Sequence, residues 1–203
     1  MGAVTDRTPV TREDILAVAA QIFRRKGFHA TSMQDIARAV HLQKASLYHH
    51  VSSKQEILLA LLDWALDLLI ASMHEVVSQP LSPEEKLRRA IEAYTAILAE
   101  HRDLAAVLLL EFRFLDPDLK ARHIRRRDEF ERLWREVVKE GQKAGDFHVD
   151  DVALAVRAIL GMVNWLVMWY RPDGPLSTEV IAHQFSQLAL EGLCHAECDG
   201  HAS

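Results

Sequence analysis

Apolar side chains recur along this chain at three- and four-residue spacing, and they almost never alternate with polar ones. Ile15, Leu16, Ala19, Ile22 and Phe23 make the first such stripe and predict a helix over roughly 12–26. Thr11 is its N-cap, Arg24, Arg25 and Lys26 suit its C-terminal end, and Gly27 stops it. Ser32, with Asp35 three residues on, approaches a capping box for a short helix that turns Met33, Ile36, Ala37 and Val40 inward and ends near Val40. A second short helix starts near Gln43 or Lys44 and ends near His50, and Ser53 caps a long one from Lys54 to about Ser78.

Ser82, Pro83 and Glu85 open a helix over roughly 83–100 as a capping box. "RDLAAVLLLEFRFL" predicts another over 102–115, and "DPD" at 116–118 starts a long charged helix that ends before Gly141. Asp150 or Asp151 caps an apolar helix to about Tyr170, "RPDGPLS" is a turn, and Ser177 caps a last helix to about Leu193. The whole pattern predicts an all-α fold.

Composition agrees: 49% of 203 residues are hydrophobic and 26% charged, with 8 Gly and 6 Pro, as in a helical globular chain with few turns. The net charge of −5 is unevenly spread. Residues 1–56 hold 8 Lys/Arg against 5 Asp/Glu, and residues 57–203 hold 16 against 24, which hints that the N-terminal part meets a polyanion. "MGAVTDRTPV" has no apolar core and does not read as a signal peptide, and two cysteines are too few for a disulfide framework, so a cytoplasmic protein is expected. Residues 152–170 approach membrane-span length, but Arg157 and Asn164 interrupt them; the segment reads as a buried or interface helix, and no membrane partner is expected.

The stretch "VHLQKASLYHHVSSK", residues 40–54, has too few apolar positions to support a helix alone. Two short helices joined by a turn of about three residues, with longer helices on either side, outline a helix-turn-helix. Ala37, Val40, Leu42 and Leu47 form its small core, and Gln43, Lys44, Ser46, Tyr48 and His49 point outward as donors for a DNA groove.

Residues 11–58 resemble the DNA-binding domain of the TetR family of transcriptional regulators. The resemblance is carried by "A-x-x-x-F-x-x-x-G-F-x-x-T-S-M-x-D-I-A" from Ala19 to Ala37, then "K-A-S-L-Y-H-H" and "S-K-x-x-I-L". It implies an N-terminal three-helix helix-turn-helix domain over 11–56 and a C-terminal helical ligand-binding and dimerisation domain over 57–195. A flexible arm is expected over 1–10 and a flexible tail over 196–203. The implied partners are double-stranded DNA, a second copy of the chain and a small apolar effector. Thr31, Ser32, Tyr48, His49 and Lys54 are the expected phosphate contacts, and Gln43, Lys44 and Ser46 the base-reading side chains. Three positions depart from the family pattern: His41 stands where a turn Gly is usual, Gln43 where a Ser or Thr cap is usual, and Val51 where a larger aromatic is usual.

The second domain is crowded with large side chains. Leu109, Phe112, Trp134, Trp165, Met168 and Trp169 are expected to wall an apolar pocket, with Arg113 and Asn164 as polar exceptions that need a protein or ligand partner. A plain aromatic core is the simpler reading of the same residues. "GMVNWLVMWYRPDGPLS", residues 161–177, resembles a sub-branch of the family that controls fatty-acid, steroid or related degradation and responds to acyl-coenzyme A (acyl-CoA) thioesters. That resemblance makes Arg122, Arg125, Arg126, Arg127 and Arg171 candidates for the coenzyme's phosphates. The competing reading is a solvated helix face with pairs such as Arg125–Glu129 and Arg127–Glu131. For the dimer, the resemblance points to Leu154, Ala158, Gly161, Ile181, Phe185, Leu188, Ala189 and Gly192.

Other function classes have little in their favour. There is no Gly-rich phosphate loop, His-Glu-x-x-His or nucleophile elbow, so an enzyme is not expected, nor is a cofactor. "CHAECDGH" at 194–201 offers two Cys and two His, but not at a usual zinc spacing, and no metal is expected. The alternatives are a regulator of the same fold that senses a different, drug-like hydrophobic compound, or a helical metal-binding or adaptor protein.

Overall fold

The computed structural model describes residues 9–194. Most of the predicted arm, the tail and the Cys/His cluster beyond Cys194 lie outside the described residues. Among those described there are helices and turns and no strands.

Helix α1 (Arg12–Lys26), α2 (Met33–Ala39) and α3 (Lys44–Leu47) form the N-terminal unit. Thr11 and Ser32 close capping boxes with Asp14 and Asp35, so the first two helices start where their local chemistry places them. α2 ends in a Schellman motif: Leu42 N–H donates to Ala37 O (2.8 Å) and His41 N–H to Arg38 O (3.2 Å). His41 occupies the left-handed position with φ 57°, the conformation that a glycine would take without strain. Gln43 is the N-cap of α3 and makes no side-chain cap bond. α3 is a single turn, shorter than predicted, and is held from below by Leu47, which is fully buried with Ile36, Ala37 and Val51.

Helix α4 (Lys54–Ser78) carries the chain from this unit into the larger one without a break, packing along α5 (Pro83–Glu100) and α7 (Pro117–Ala144). The expected domain border at 56–57 thus falls inside the first turn of a continuous helix. Ser82 accepts from Glu85 N–H at 3.3 Å, but the Glu85 carboxylate goes to Arg88 and Arg89 instead of closing the capping box.

Two elements differ from the sequence reading. The predicted helix over 102–115 is α-helical only over α6 (Arg102–Ala106); Val107–Glu111 winds as a π-helical turn, and Phe112–Phe114 as a 3-10 turn. α7 does not stop before Gly141. It runs on to a second Schellman end, where Asp146 N–H reaches Gly141 O (2.9 Å) and Gly145 sits at φ 84°. Gly141 serves packing instead: a Cβ there would lie 2.1 Å from the buried Phe147 ring.

Asp151 caps α8 (Val152–Asn164), a break at Trp165 leads to the single turn α9 (Leu166–Trp169), and α10 (Thr178–Cys194) lies back along α5. By length and composition, 54–78 and 152–169 are both apolar enough to cross a membrane, but most of α4 is buried in the core of the fold. Much of the 152–169 segment is exposed, because the chain covers only one side of it.

Candidate functional site: an exposed helix-turn-helix face and a cavity joined by one segment

The outer face of α3 gathers five of the expected DNA contacts. Gln43, Lys44, Tyr48 and His49 are exposed and Ser46 is half-exposed, while Leu47 alone turns inward. Tyr48 is 46% exposed, so its ring is largely free of the core.

Three other expected contacts have different tasks. Thr31 is 2% exposed, and its hydroxyl donates to Gly27 O at 2.8 Å inside the α1–α2 turn. Ser32 donates its hydroxyl and its N–H to Asp35 Oδ2 (2.8 and 2.9 Å), so both donors are engaged in the capping box. Lys54 does not reach outward at all. Its Nζ donates to Phe28 O (2.8 Å) and Thr31 O (2.7 Å) and stands 4.3 Å from the centre of the Phe28 ring. Burial lowers its pKa from the ordinary lysine value, and the two carbonyls compensate the charged form. Lys54 is therefore a clamp between α4 and the α1–α2 turn, a role that needed the tertiary contact to become visible.

In the larger unit, a cavity of about 300 Å³ opens between α4, α5, the π-helical turn, α7 and α8–α9. Of the predicted pocket residues, Leu109, Phe112, Asn164, Trp165 and Met168 line it. Trp134, Arg113 and Trp169 do not. Trp134 is fully buried behind the wall against Tyr94 and Phe130, and Arg113 faces solvent over the Phe114 ring. Trp169 is part of the outer apolar surface. The sequence reading missed Tyr94, which lies in α5 far from the aromatic run; its hydroxyl donates to Asn164 Oδ1 on the cavity wall. Burial pushes the Tyr94 pKa up, so the phenol stays protonated.

The arginines of α7 divide by partner. Arg122 and Arg126 pair with Asp63 (2.8 and 3.2 Å), and Arg126 also with Asp67 (2.5 Å), so these two tie α7 to α4. Glu131 pairs with Arg135 and Arg157, not with Arg127 as the helix spacing suggested. Arg127 has no carboxylate partner among the described residues; it lines the cavity with its guanidinium 4.8 Å from the centre of the Phe112 ring. Arg125 and Arg171 are exposed and do not line the cavity. Behind Phe112 lies His123, fully buried, with neither ring nitrogen bonded; burial lowers its pKa to about 4.

The cavity wall and the recognition unit share one segment. Leu108, Leu109, Leu110 and Phe112 line the cavity, and between them Glu111 accepts from Phe28 N–H at 2.9 Å. Phe114 stacks on Phe28 (6.2 Å between ring centres) and meets the His29 ring edge-on (4.2 Å), while Gln55 donates to Phe114 O (3.0 Å). Arg24 adds an ion pair to Asp103 at 2.8 Å. One short segment thus touches both the cavity and the α1–α2 turn.

On another face, α8 and α10 present Leu154 (64% exposed) and Leu188 (59%), with an apolar groove between the helices lined by Ala155, Ala158, Met162, Leu188 and Gly192. A Cβ at Gly161 or Gly192 would meet nothing within 4 Å; Gly192 borders the groove, and Gly161 lines the cavity. Of the other expected interface residues, Ile181 is buried inside the protomer (4% exposed), Ala189 is 8% exposed and lines the same groove, and Phe185 is half-buried.

Comparison with known proteins gives this arrangement a lineage. Residues 15–61 match the model of "Bacterial regulatory proteins, tetR family", and residues 80–193 match that of the "Tetracyclin repressor-like, C-terminal domain". The HTH-type transcriptional repressor KstR2 of Mycolicibacterium smegmatis is 32% identical over 213 aligned positions, covering 100% of both chains. The TetR family transcriptional regulator PfmR from Thermus thermophilus superposes with a TM-score of 0.82 at 40% identity, covering 88% of this chain and 98% of its own. AibR, solved in complex with isovaleryl coenzyme A and operator DNA, superposes with a TM-score of 0.81 at 27% identity, covering 87% of this chain and 96% of its own. With one match on the recognition unit, another on the bundle that holds the cavity, and whole-length relatives across both, the chain belongs to the TetR family.

Proposed function

We propose that the protein is a cytoplasmic, non-enzymatic transcriptional repressor. In this reading it binds a near-palindromic operator as a homodimer and leaves it when a small apolar effector, carried as an acyl-CoA thioester, enters the cavity. The observation that carries the reading is the shared segment: residues 108–112 line the cavity and Glu111 among them holds the N–H of Phe28 under the recognition unit. A ligand that prefers one setting of this segment shifts the equilibrium of the DNA-binding unit by its difference in affinity for the two settings. The relatives support the effector class, since AibR was crystallised with isovaleryl coenzyme A and operator DNA. The cavity fits a compact acyl group, being near the lower end of ligand-pocket volumes. Arg127, the cation on its wall without a carboxylate partner among the described residues, is the candidate for a coenzyme phosphate.

The exposed apolar face of α8 and α10 supports a second copy as the cover. Leu154, Ala158, Gly161, Leu188 and Gly192 are the proposed contacts, with small residues letting the helices approach closely. A contiguous apolar surface of this kind on a water-exposed protein marks an association site. The dimer would set two α3 helices one turn of duplex apart, about 34–36 Å.

Electrophoretic shift of the DNA flanking the gene, with and without a series of acyl-CoA thioesters, tests the reading. Operator binding that weakens steeply with salt and is released by one chain-length class is the expected result. Lys44→Ala and Tyr48→Ala should each weaken operator binding by about 1–3 kcal/mol while leaving the melting temperature in place. Normal operator affinity in both variants would remove α3 as the recognition element.

A further inference from the structure

We infer that Asn164 is the specificity-determining residue of the cavity: its Nδ2 donates a hydrogen bond to a carbonyl oxygen on the acyl part of the effector. The inference rests on the cavity being the effector site. The cavity is lined chiefly by Leu, Val, Met and aromatic side chains, and Asn164 is the one amide among them. An amide on such a wall offers an acceptor at one end and two donors at the other. The oxygen end has one. Tyr94, fully buried and held in its protonated form, donates its O–H to Asn164 Oδ1. That bond orients the amide and gives the nitrogen end the opposite direction. Nδ2 then has two N–H groups and no acceptor among the described residues.

Asn164 is also placed to be felt. It is the last residue of α8, directly before the break at Trp165, and the π-helical turn that reaches Phe28 lines the same cavity. A ligand oxygen bound to Nδ2 anchors the acyl group to α8 while its apolar body presses on Leu109 and Phe112. Tyr94 acts through Asn164 and is a positioning residue. A site built to hydrogen-bond an oxygen discriminates against an analogue that lacks it, because its own polar group is then left unpaired.

The test uses three ligands of equal chain length with the full-length protein, their affinities measured by calorimetry: S-hexyl-CoA, a thioether with no carbonyl; hexanoyl-CoA, with the thioester carbonyl; and 3-oxohexanoyl-CoA, with a second carbonyl. Wild type should bind a carbonyl-bearing ligand about tenfold more tightly than the thioether, equivalent to about 1.4 kcal/mol. A step between the first two ligands assigns the thioester carbonyl, and a step between the last two assigns the chain carbonyl. Asn164→Leu should bring all three affinities to within about twofold of one another. Tyr94→Phe, which keeps the amide but loses its orientation, should retain a reduced step, whereas a merely structural role would lower all three affinities together. If Asn164→Leu fails to fold because the Tyr94 O–H is left unpaired, the double variant Tyr94→Phe/Asn164→Leu removes both polar groups and carries the same test. Equal affinity of wild type for all three ligands, or an unchanged step in the leucine variants, overturns the inference and leaves the acyl-CoA reading standing. Failure of wild type to bind any of the three overturns the acyl-CoA reading and this inference with it.

Discussion

Replacing Lys54 by methionine separates two roles that look alike in the sequence. The side-chain length stays similar and the charge is lost. In the structure, the ammonium makes two bonds of 2.7 and 2.8 Å to the carbonyls of Thr31 and Phe28 and lies over the Phe28 ring. Hydrogen bonds to a charged group contribute about 1.5–3 kcal/mol each when fully made. Here the site is only partly buried and water replaces part of each bond, so the total loss should be about 2 kcal/mol. For a chain of this size that lowers the melting temperature by about 4–8 °C. The α1–α2 turn loosens with it, so operator affinity also falls, but the salt dependence of binding does not change because no phosphate contact is removed. A lysine that touched phosphate would behave in the opposite way: stability would stay constant, and the slope of log K against log salt would fall by about 0.9 per subunit. Thermal melts and shift assays at four or five salt concentrations decide the matter. A shallower slope at unchanged melting temperature would refute the clamp.

Three further outcomes follow from the geometry. Glu111→Ala should leave effector affinity in the absence of DNA within about threefold, yet cut the factor by which effector releases the operator by about tenfold, a typical coupling energy; an unchanged release factor would disconnect the Phe28–Glu111 bond from signalling. His123 stays neutral in the fold, with its pKa lowered to about 4 by burial, and titrates at its ordinary value when unfolded. The unfolded chain therefore binds more protons between pH 6.5 and 4, and stability should fall by up to about 3 kcal/mol as pH drops through that window; denaturant titrations of wild type and His123→Leu at pH 7 and 4.5 should show that the variant loses less. Gly141→Ala should destabilise by about 1–3 kcal/mol, because the new Cβ would overlap the buried Phe147 ring, and a melting temperature equal to wild type would contradict that packing.

What the sequence alone determined was everything set within a few residues of its own position. Thr11, Ser32, Ser53, Ser82, Asp151 and Ser177 all cap or precede the helices they were expected to start, since a cap needs only the next turn. The helix-turn-helix was legible for the same reason, as was the exposed set from Gln43 to His49: a one-turn helix with a single inward Leu47 leaves no other face for them. The tertiary structure decided whatever depended on a contact across the fold. Gly141 looked like a helix stop, and only the Phe147 ring lying over it reveals that it is a packing site. Lys54 looked like a phosphate contact until α4 was laid against the α1–α2 turn. Ile181 looked like an interface residue until α10 turned it into the core of the same protomer. The continuous apolar run at 107–110 did not announce a π-helical turn, because the contacts of that turn, such as Glu111 with Phe28, lie far away in the chain and close in space.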